Sequence, residues 1–190
     1  MKLKHLLPAA LALFIALPAA AEEYVIDTEG AHAAIQFRIK HLGYSWLYGR
    51  FNAFSGNFSY DEKQPEQATV KVTIDMSSID TNHAERDKHL RSADFFEVKK
   101  YPEAEFVSTG YQPQGMDKGR LQGNLTLRGV TRPVTIEVSQ VGAGADPWGG
   151  YRRGFSGTTT LTLADFGIPY NLGPAAREAE LTLSIEGIRQ

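Results

Sequence analysis

Asp27, His32 and Ser45 lie close together in the chain. They are the residue types of a nucleophilic triad: a serine to attack, an imidazole to take its proton and a carboxylate to orient the imidazole. A triad is made by geometry, and the spacing works against this one. If residues 32–40 form a strand and the chain turns near 41–45, His32 lies roughly 30 Å from the turn at about 3.3 Å per residue. Ser45 then sits at the far end of the hairpin. No serine occupies a G-x-S-x-G elbow either. A secreted serine-type hydrolase using Asp27, His32 and Ser45 is therefore an alternative, not the first reading, and no catalytic residue is assigned.

The histidines do not make a metal site by their spacing. His83 and His89 are six apart and would fall on different sides of a helix, unlike the i, i+4 pair of a zinc helix. Glu85 and His89 do stand at i, i+4, where a solvated ion pair is expected. His32 and His41 are isolated in sequence. The chain contains no cysteine, which removes thiol nucleophiles, thiolate zinc sites and disulfides from consideration. No metal and no cofactor are expected.

The elements that would position any site are mostly strands. Ala33, Ile35, Phe37 and Ile39 alternate with polar neighbours, as do Val70, Val72, Ile74 and Met76. The same period of two runs through 121–128, 134–139, 155–163 and 181–186. This is the pattern of strands with one face inward and one in water. Segment 46–60 changes phase: Phe54, Gly56, Phe58 and Tyr60 share a face that Trp46, Tyr48 and Phe51 do not continue, so a bulge or bend is expected near residues 49–53. Turn-forming residues separate the strands at 61–67, 112–119 and 142–150. Many short antiparallel strands at this spacing imply a sandwich or barrel. One polar surface helix is expected over residues 83–92, capped by Asn82 with Glu85 as its capping-box partner and attached through Leu90, Phe95 and Phe96.

The N-terminus has a basic start (Lys2, Lys4), an uncharged apolar run from Leu6 to Leu17 and small residues Ala19–Ala21. That order is the pattern of a cleaved secretory signal, and the run is shorter than the roughly 20 residues a spanning helix needs. Cleavage after Ala21 leaves residues 22–190 as a single domain and places the protein in the periplasm. It removes two of the 20 basic residues, leaving 18 against 22 acidic. This balance argues against nucleic acid as a partner, and no stable membrane insertion is expected.

Five segments carry a resemblance that the periodicity alone does not: HLGYSWLYGRF (His41–Phe51), DTNHAERDKHLRSADFF (Asp80–Phe96), LTLRGVTRPV (Leu125–Val134), DPWGG (Asp146–Gly150) and LGPA (Leu172–Ala175). Through them the chain resembles the YceI family of periplasmic, lipocalin-like proteins over essentially its whole mature length. The resemblance implies an all-β fold, an extended antiparallel lipocalin-like barrel of about eight strands with one short surface helix. It also implies a lumen that holds a polyisoprenoid or similar long-chain amphiphile, such as a quinone or its precursor. On that reading Phe37, Trp46, Tyr48, Phe54, Phe58, Ile74, Phe95, Phe106, Leu125, Ile136, Phe155, Leu161 and Leu183 line the ligand site, with small inward residues (Ala33, Gly56, Ala68, Gly123, Gly157, Thr159) leaving room for a thin chain. Read as plain core, the same aromatics would fill the barrel, and the protein would be a stress-related barrel with no small-molecule ligand. The sequence is compatible with a monomer or a homodimer.

Overall fold

The computed structural model describes residues 21–168 and 173–190. The expected signal segment lies outside the described residues apart from Ala21, as does Leu172 of the LGPA motif. Eleven strand segments form: β1 (Glu22–Ile26), β2 (Ala34–His41), β3 (Ser45–Phe51), β4 (Phe54–Tyr60), β5 (Thr69–Asp75), β6 (Ile79–Asp80), β7 (Glu103–Pro113), β8 (Lys118–Leu127), β9 (Val130–Ala145), β10 (Tyr151–Thr162) and β11 (Glu178–Arg189). Helix α1 (Ala84–Leu90) lies between β6 and β7.

Six of these segments are halves of three broken strands. β1 and β2 follow one another along the same edge of β11, with Ile26 opposite Gly187 and Ala34 opposite Ser184. β4 and β3 pair with them in turn, and β5 and β6 pair with β4 and β3. Counted this way the fold is an eight-stranded antiparallel barrel, closed where β1 meets β11. Closure satisfies the backbone groups that an open sheet would leave at its edges.

The faces follow the alternation. Lys71 pairs with Glu105 at 2.8 Å, Arg120 with Glu137 at 2.8 Å and Arg38 with Glu180 at 2.6 Å, all across neighbouring strands on the outer face. Apolar residues turn inward and form two clusters, one around Phe106, Leu125 and Leu161, the other around Tyr24, Ile26 and Phe58. A lipid-facing barrel has the reverse polarity. Among the described residues no helix is long and apolar enough to cross a membrane.

The bend expected near residues 49–53 is at Asn52–Ala53, after β3 instead of within it. It resets the phase, so that Phe51 and Phe54 both turn inward although they are an odd number of residues apart. Because β3 itself is unbroken, Leu47, Gly49 and Phe51 share the inner face, while Trp46 and Tyr48 take the outer one. The helix also differs from expectation at its start. Asn82 adopts a left-handed conformation (φ 59°) and His83 is the cap, its Nδ1 accepting from the Arg86 amide at 3.2 Å. Glu85 pairs with Lys88, and His89 meets Asp94 instead of Glu85. The expected attachments hold: Phe95 is buried, and Leu90 and Phe96 pack against the same core.

Two of the inward glycines do not leave empty space. A β-carbon on Gly123 would lie 2.3 Å from Cζ of Phe106, and one on Gly56 would lie 2.4 Å from the Lys71 carbonyl oxygen. The Phe106 ring folds over Gly123, so the glycine is what allows that ring its position. Ala68 and Thr159 line open lumen, while a β-carbon on Gly157 would lie 3.0 Å from Cγ2 of Ile136.

An ionic clasp bridges the break between β1 and β2. The Arg152 guanidinium donates to Asp27 (2.6 Å), Glu186 (2.5 Å) and Asp146 (2.9 Å). Asp27 is 6 % exposed and also accepts from the Gly30 amide and meets His32 Nδ1, each at 2.8 Å. The His32 bond, then Arg152, then the Gly30 amide hold the Asp27 carboxyl well below the usual carboxylate range. The clasp thus joins the 27–33 loop, β10, β11 and the DPWGG turn.

Two outcomes follow. Gly123→Ala lowers stability by about 1–3 kcal/mol, and that loss shrinks towards zero when Phe106→Ala is added, as urea denaturation of the double-mutant cycle will show. Asp27→Asn lowers stability at neutral pH by about 2 kcal/mol. A carboxyl whose folded pKa is depressed contributes above its unfolded pKa and loses that contribution in acid. The gap between wild type and variant should therefore narrow as pH falls below about 4, measured by denaturation midpoints at several pH values; a gap constant down to pH ~2 would contradict the clasp's role.

Candidate functional site

Inside the barrel the inward faces enclose two adjoining apolar spaces. The larger, about 340 Å³, lies at the α1 end and is lined by Phe37, Leu47, Phe51, Leu90, Phe95 and Phe96, among others. The smaller, about 150 Å³, lies deeper and is lined by Phe58, Tyr60, Phe106, Tyr111, Ile136 and Phe155, among others. Ile35, Ile74, Leu125, Leu161 and Leu181 line both. The two spaces therefore adjoin across these five side chains, as neighbouring compartments of the barrel interior.

Ten of the thirteen residues expected at the ligand site line this lumen. Phe37 and Phe95 face the larger compartment. Phe58, Phe106, Ile136, Phe155 and Leu183 face the smaller one, and Ile74, Leu125 and Leu161 stand at the junction. Phe54 is inside but packs against the Tyr24 cluster and lines neither compartment. Trp46 and Tyr48 are outside: Tyr48 is 62 % exposed, and Trp46 carries the Arg38 guanidinium 4.2 Å from its ring centroid. Both residues line an outer groove beside β3. Their misplacement comes from the position of the bend, because a one-residue change of phase exchanges the faces.

Several lining residues were not singled out from the sequence. Ile35, Leu121, Val134, Val138, Leu181 and Ile185 are in phase with neighbours that were, so the same alternation finds them. Leu47 and Phe51 belong to the opposite alternation of β3 from Trp46 and Tyr48.

The deep end of the lumen is backed by a buried cation. Arg153 is 2 % exposed, and its guanidinium lies 4.7 Å from the centroid of the Tyr60 ring. It donates to the Tyr24 hydroxyl (3.3 Å), Gln140 (3.0 Å) and Glu62 (2.6 Å). Tyr24 stacks on Phe58 at 4.8 Å, and Phe155 meets Phe58 edge-on at 5.6 Å. Burial, with Arg153 nearby opposing it, raises the Tyr60 hydroxyl above its usual range. Aromatic packing around a guanidinium that is hydrogen-bonded through each of its three nitrogens makes this end a polar stopper on an apolar tube.

The triad types are not assembled. Asp27 and His32 do share a hydrogen bond, but Ser45 pairs with His41 at the tip of the β2–β3 hairpin, with the length of β2 between it and His32. Asp27, His32 and Glu186 bring one ligand atom each within 4.8 Å of one another. That space is taken by Arg152, whose Nη1 contacts both carboxylates. What the arrangement can do chemically is shelter an apolar chain from water.

A family model described as the YceI-like domain matches residues 24–187. A UPF0312 protein of Pseudomonas aeruginosa (strain LESB58) is 63% identical over 179 residues, covering 94% of this chain and 93% of its own length. A UPF0312 protein of Azotobacter vinelandii is 56% identical, covering 96% of this chain and 97% of its own. Among solved structures, Burkholderia cenocepacia BcnA matches with a TM-score of 0.74 at 24% identity, over 85% of this chain and 98% of that one. The Campylobacter jejuni YCEI protein matches at 0.73 and 28%, over 80% of this chain and 90% of that one. A polyisoprenoid binding domain from Saccharophagus degradans, implicated in plant cell wall breakdown, shares the fold at 0.64 and 15%, over 88% of this chain and 98% of that one. By the span of the family match and the identity to its relatives, this chain belongs to the YceI-like family.

Proposed function

We propose that the protein is an exported, periplasmic carrier that holds a polyisoprenoid or similar long-chain amphiphile, such as a quinone or its precursor, in the barrel lumen. The observation that carries this reading is the pair of adjoining apolar compartments inside the barrel. Its larger compartment, about 340 Å³, falls within the usual range of small-molecule sites, about 300–1,000 Å³. The solved domain from Saccharophagus degradans that shares this fold is a polyisoprenoid binding domain, which supports the choice of ligand class. The basic, apolar and small-residue order of the N-terminus supports export.

The driving force is desolvation. Moving an alkyl chain from water into the lumen yields roughly 0.8 kcal/mol per CH₂. Some ten such groups would supply about 8 kcal/mol, near micromolar affinity before the cost of ordering the chain. No bond is made or broken, so no catalytic group and no cofactor is required. The flexible ligand takes its shape from the tube, and the lining needs only to be apolar and continuous.

Native mass spectrometry of protein purified from its own cell envelope, followed by organic extraction, tests the reading directly. A prenyl lipid at near-stoichiometric amount is expected. Leu125→Trp, at the junction of the two compartments, should cut occupancy by at least about tenfold while the far-UV spectrum is retained. An empty wild-type protein that also refuses added polyprenyl quinone would favour a barrel acting through its surface.

A further inference from the structure

The β2–β3 hairpin is exposed from Lys40 to Ser45. Its tip is apolar: Leu42 is 61 % exposed and Tyr44 87 %. Leu42 and Gly43 both turn at positive φ, 53° and 84°, a conformation that glycine or asparagine takes at less cost than leucine. Turn formation alone therefore does not account for a leucine there. Behind the tip, Trp46 and Tyr48 share the outer face with Lys40 and Arg38, which stand opposite them in register. The Lys40 amine and the Arg38 guanidinium lie 5.5 and 4.2 Å from the Trp46 ring centroid.

The charge on this hairpin runs against that of the chain. Of 22 acidic residues none falls between Glu29 and Asp61, a stretch that carries Arg38, Lys40 and Arg50. Arg38 pairs with Glu180 of β11, Arg50 reaches Asp80 only at 3.5 Å, and Lys40 has no ion-pair partner among the described residues. An exposed apolar tip, amphipathic rings behind it and cations beside the rings repeat the order of a membrane interface, from acyl boundary to negatively charged surface. The position is also apt. His41 and Leu47 of the hairpin line the larger compartment, whereas Arg153 backs the opposite end. Met116 and Trp148 are exposed at that opposite end too, but in turns of mixed charge that hold Asp117, Lys118 and Asp146.

We propose that the β2–β3 hairpin is a membrane-docking element that seats the α1 end of the barrel on a bilayer containing anionic lipid. Leu42 and Tyr44 enter the acyl boundary, Trp46 and Tyr48 lie at the interface, and Lys40 and Arg50 supply the attraction to the negative surface. The contact is peripheral and reversible, since only a hairpin tip is buried. The inference rests on the carrier reading for its purpose: a chain-like cargo drawn from a membrane has to leave it beside the larger compartment.

Flotation of the processed protein with phosphatidylcholine vesicles, with and without phosphatidylglycerol, tests it. Binding should be about tenfold tighter or more when phosphatidylglycerol is present, and added salt should erase the difference. Tyr44→Ser should weaken binding to both vesicles about tenfold, and Lys40→Gln should weaken only the anionic binding, about fivefold. With saturating vesicles of brominated lipid, Trp46 fluorescence in Trp148→Phe protein should be quenched, and Trp148 fluorescence in Trp46→Phe protein should not. Quenching of Trp148 in place of Trp46 would overturn the proposal, because the opposite end would then face the bilayer. Failure to bind either vesicle would overturn it as well. So would a Tyr44→Ser protein that changes its mass in sedimentation and keeps its vesicle binding, which would show that the hairpin meets a second copy of the chain. Cargo occupancy by native mass spectrometry is read separately. A loaded protein that ignores vesicles loses only the docking element, and an empty one that docks through the hairpin loses only the carrier reading.

Discussion

Three residue pairs between β1 and β11 close the ring: Tyr24 with Arg189, Val25 with Ile188 and Ile26 with Gly187. This short seam and the six β2–β11 pairs that continue it along the same edge keep inside apart from outside. Without the seam β1 and the facing end of β11 would expose unpaired backbone, and the lumen would open to water along that stretch. The seam is short because β1 ends at Ile26 and the chain loops out before β2 resumes the same edge. The Arg152 clasp sits at that interruption and holds the loop against β10 and β11. Buried pairs of this kind add little stability over an apolar substitute. Their value here is positional, since each partner belongs to a different segment and all must arrive for any one to be satisfied.

Closure creates a tube, but packing decides whether the tube is filled. Protein interiors normally leave few voids, and rings narrow the deep half of this barrel: Tyr24 contacts Phe58, Phe58 contacts Phe155 and Phe155 contacts Tyr60. The half near α1 departs from it. There the β6 segment ends after two residues and a helix takes the place of a strand. Leu90, Phe95 and Phe96 reach into the wall from a connection outside the sheet, and a helix stands further from the axis than a strand can. The larger compartment follows from that substitution.

Much of the architecture was legible in the sequence because period two is a strong signal when one face is buried and the other wet. β2, β5, β8, β10 and β11 could be read directly. β1 and β7 were less visible: β1 has only five residues, and the alternation of Ala104, Phe106 and Ser108 in β7 is interrupted by a register shift before Gly110. The lumen followed wherever the phase was right. It did not reach Trp46 and Tyr48, because β3 runs unbroken to Phe51 and places Leu47, Gly49 and Phe51 on the inner face instead. The Arg153 stopper, the Arg152 clasp and the groove at Arg86 were not legible at all. Each assembles residues distant in sequence, such as Glu62 with Arg153, and no local pattern encodes such a meeting.

The two ends of the lumen are built on opposite uses of arginine, and this gives the tube a direction. At the deep end Arg153 is almost wholly buried and its donors go to Tyr24, Gln140 and Glu62. A guanidinium so engaged has little to offer an incoming group, and displacing it would strand a buried charge, which is costly. At the other end Arg86 is half-buried, pinned by Thr81 on one side and open to the groove on the other. An amphiphile entering tail-first there exchanges water for apolar wall along its chain and keeps its polar end where donors and solvent remain. Entry in the opposite sense would bring the polar head to rings and a satisfied cation. For the amphiphile proposed above, the unequal ends of the barrel would set which end enters first, with no contact along the tube needing to discriminate one isoprene unit from the next.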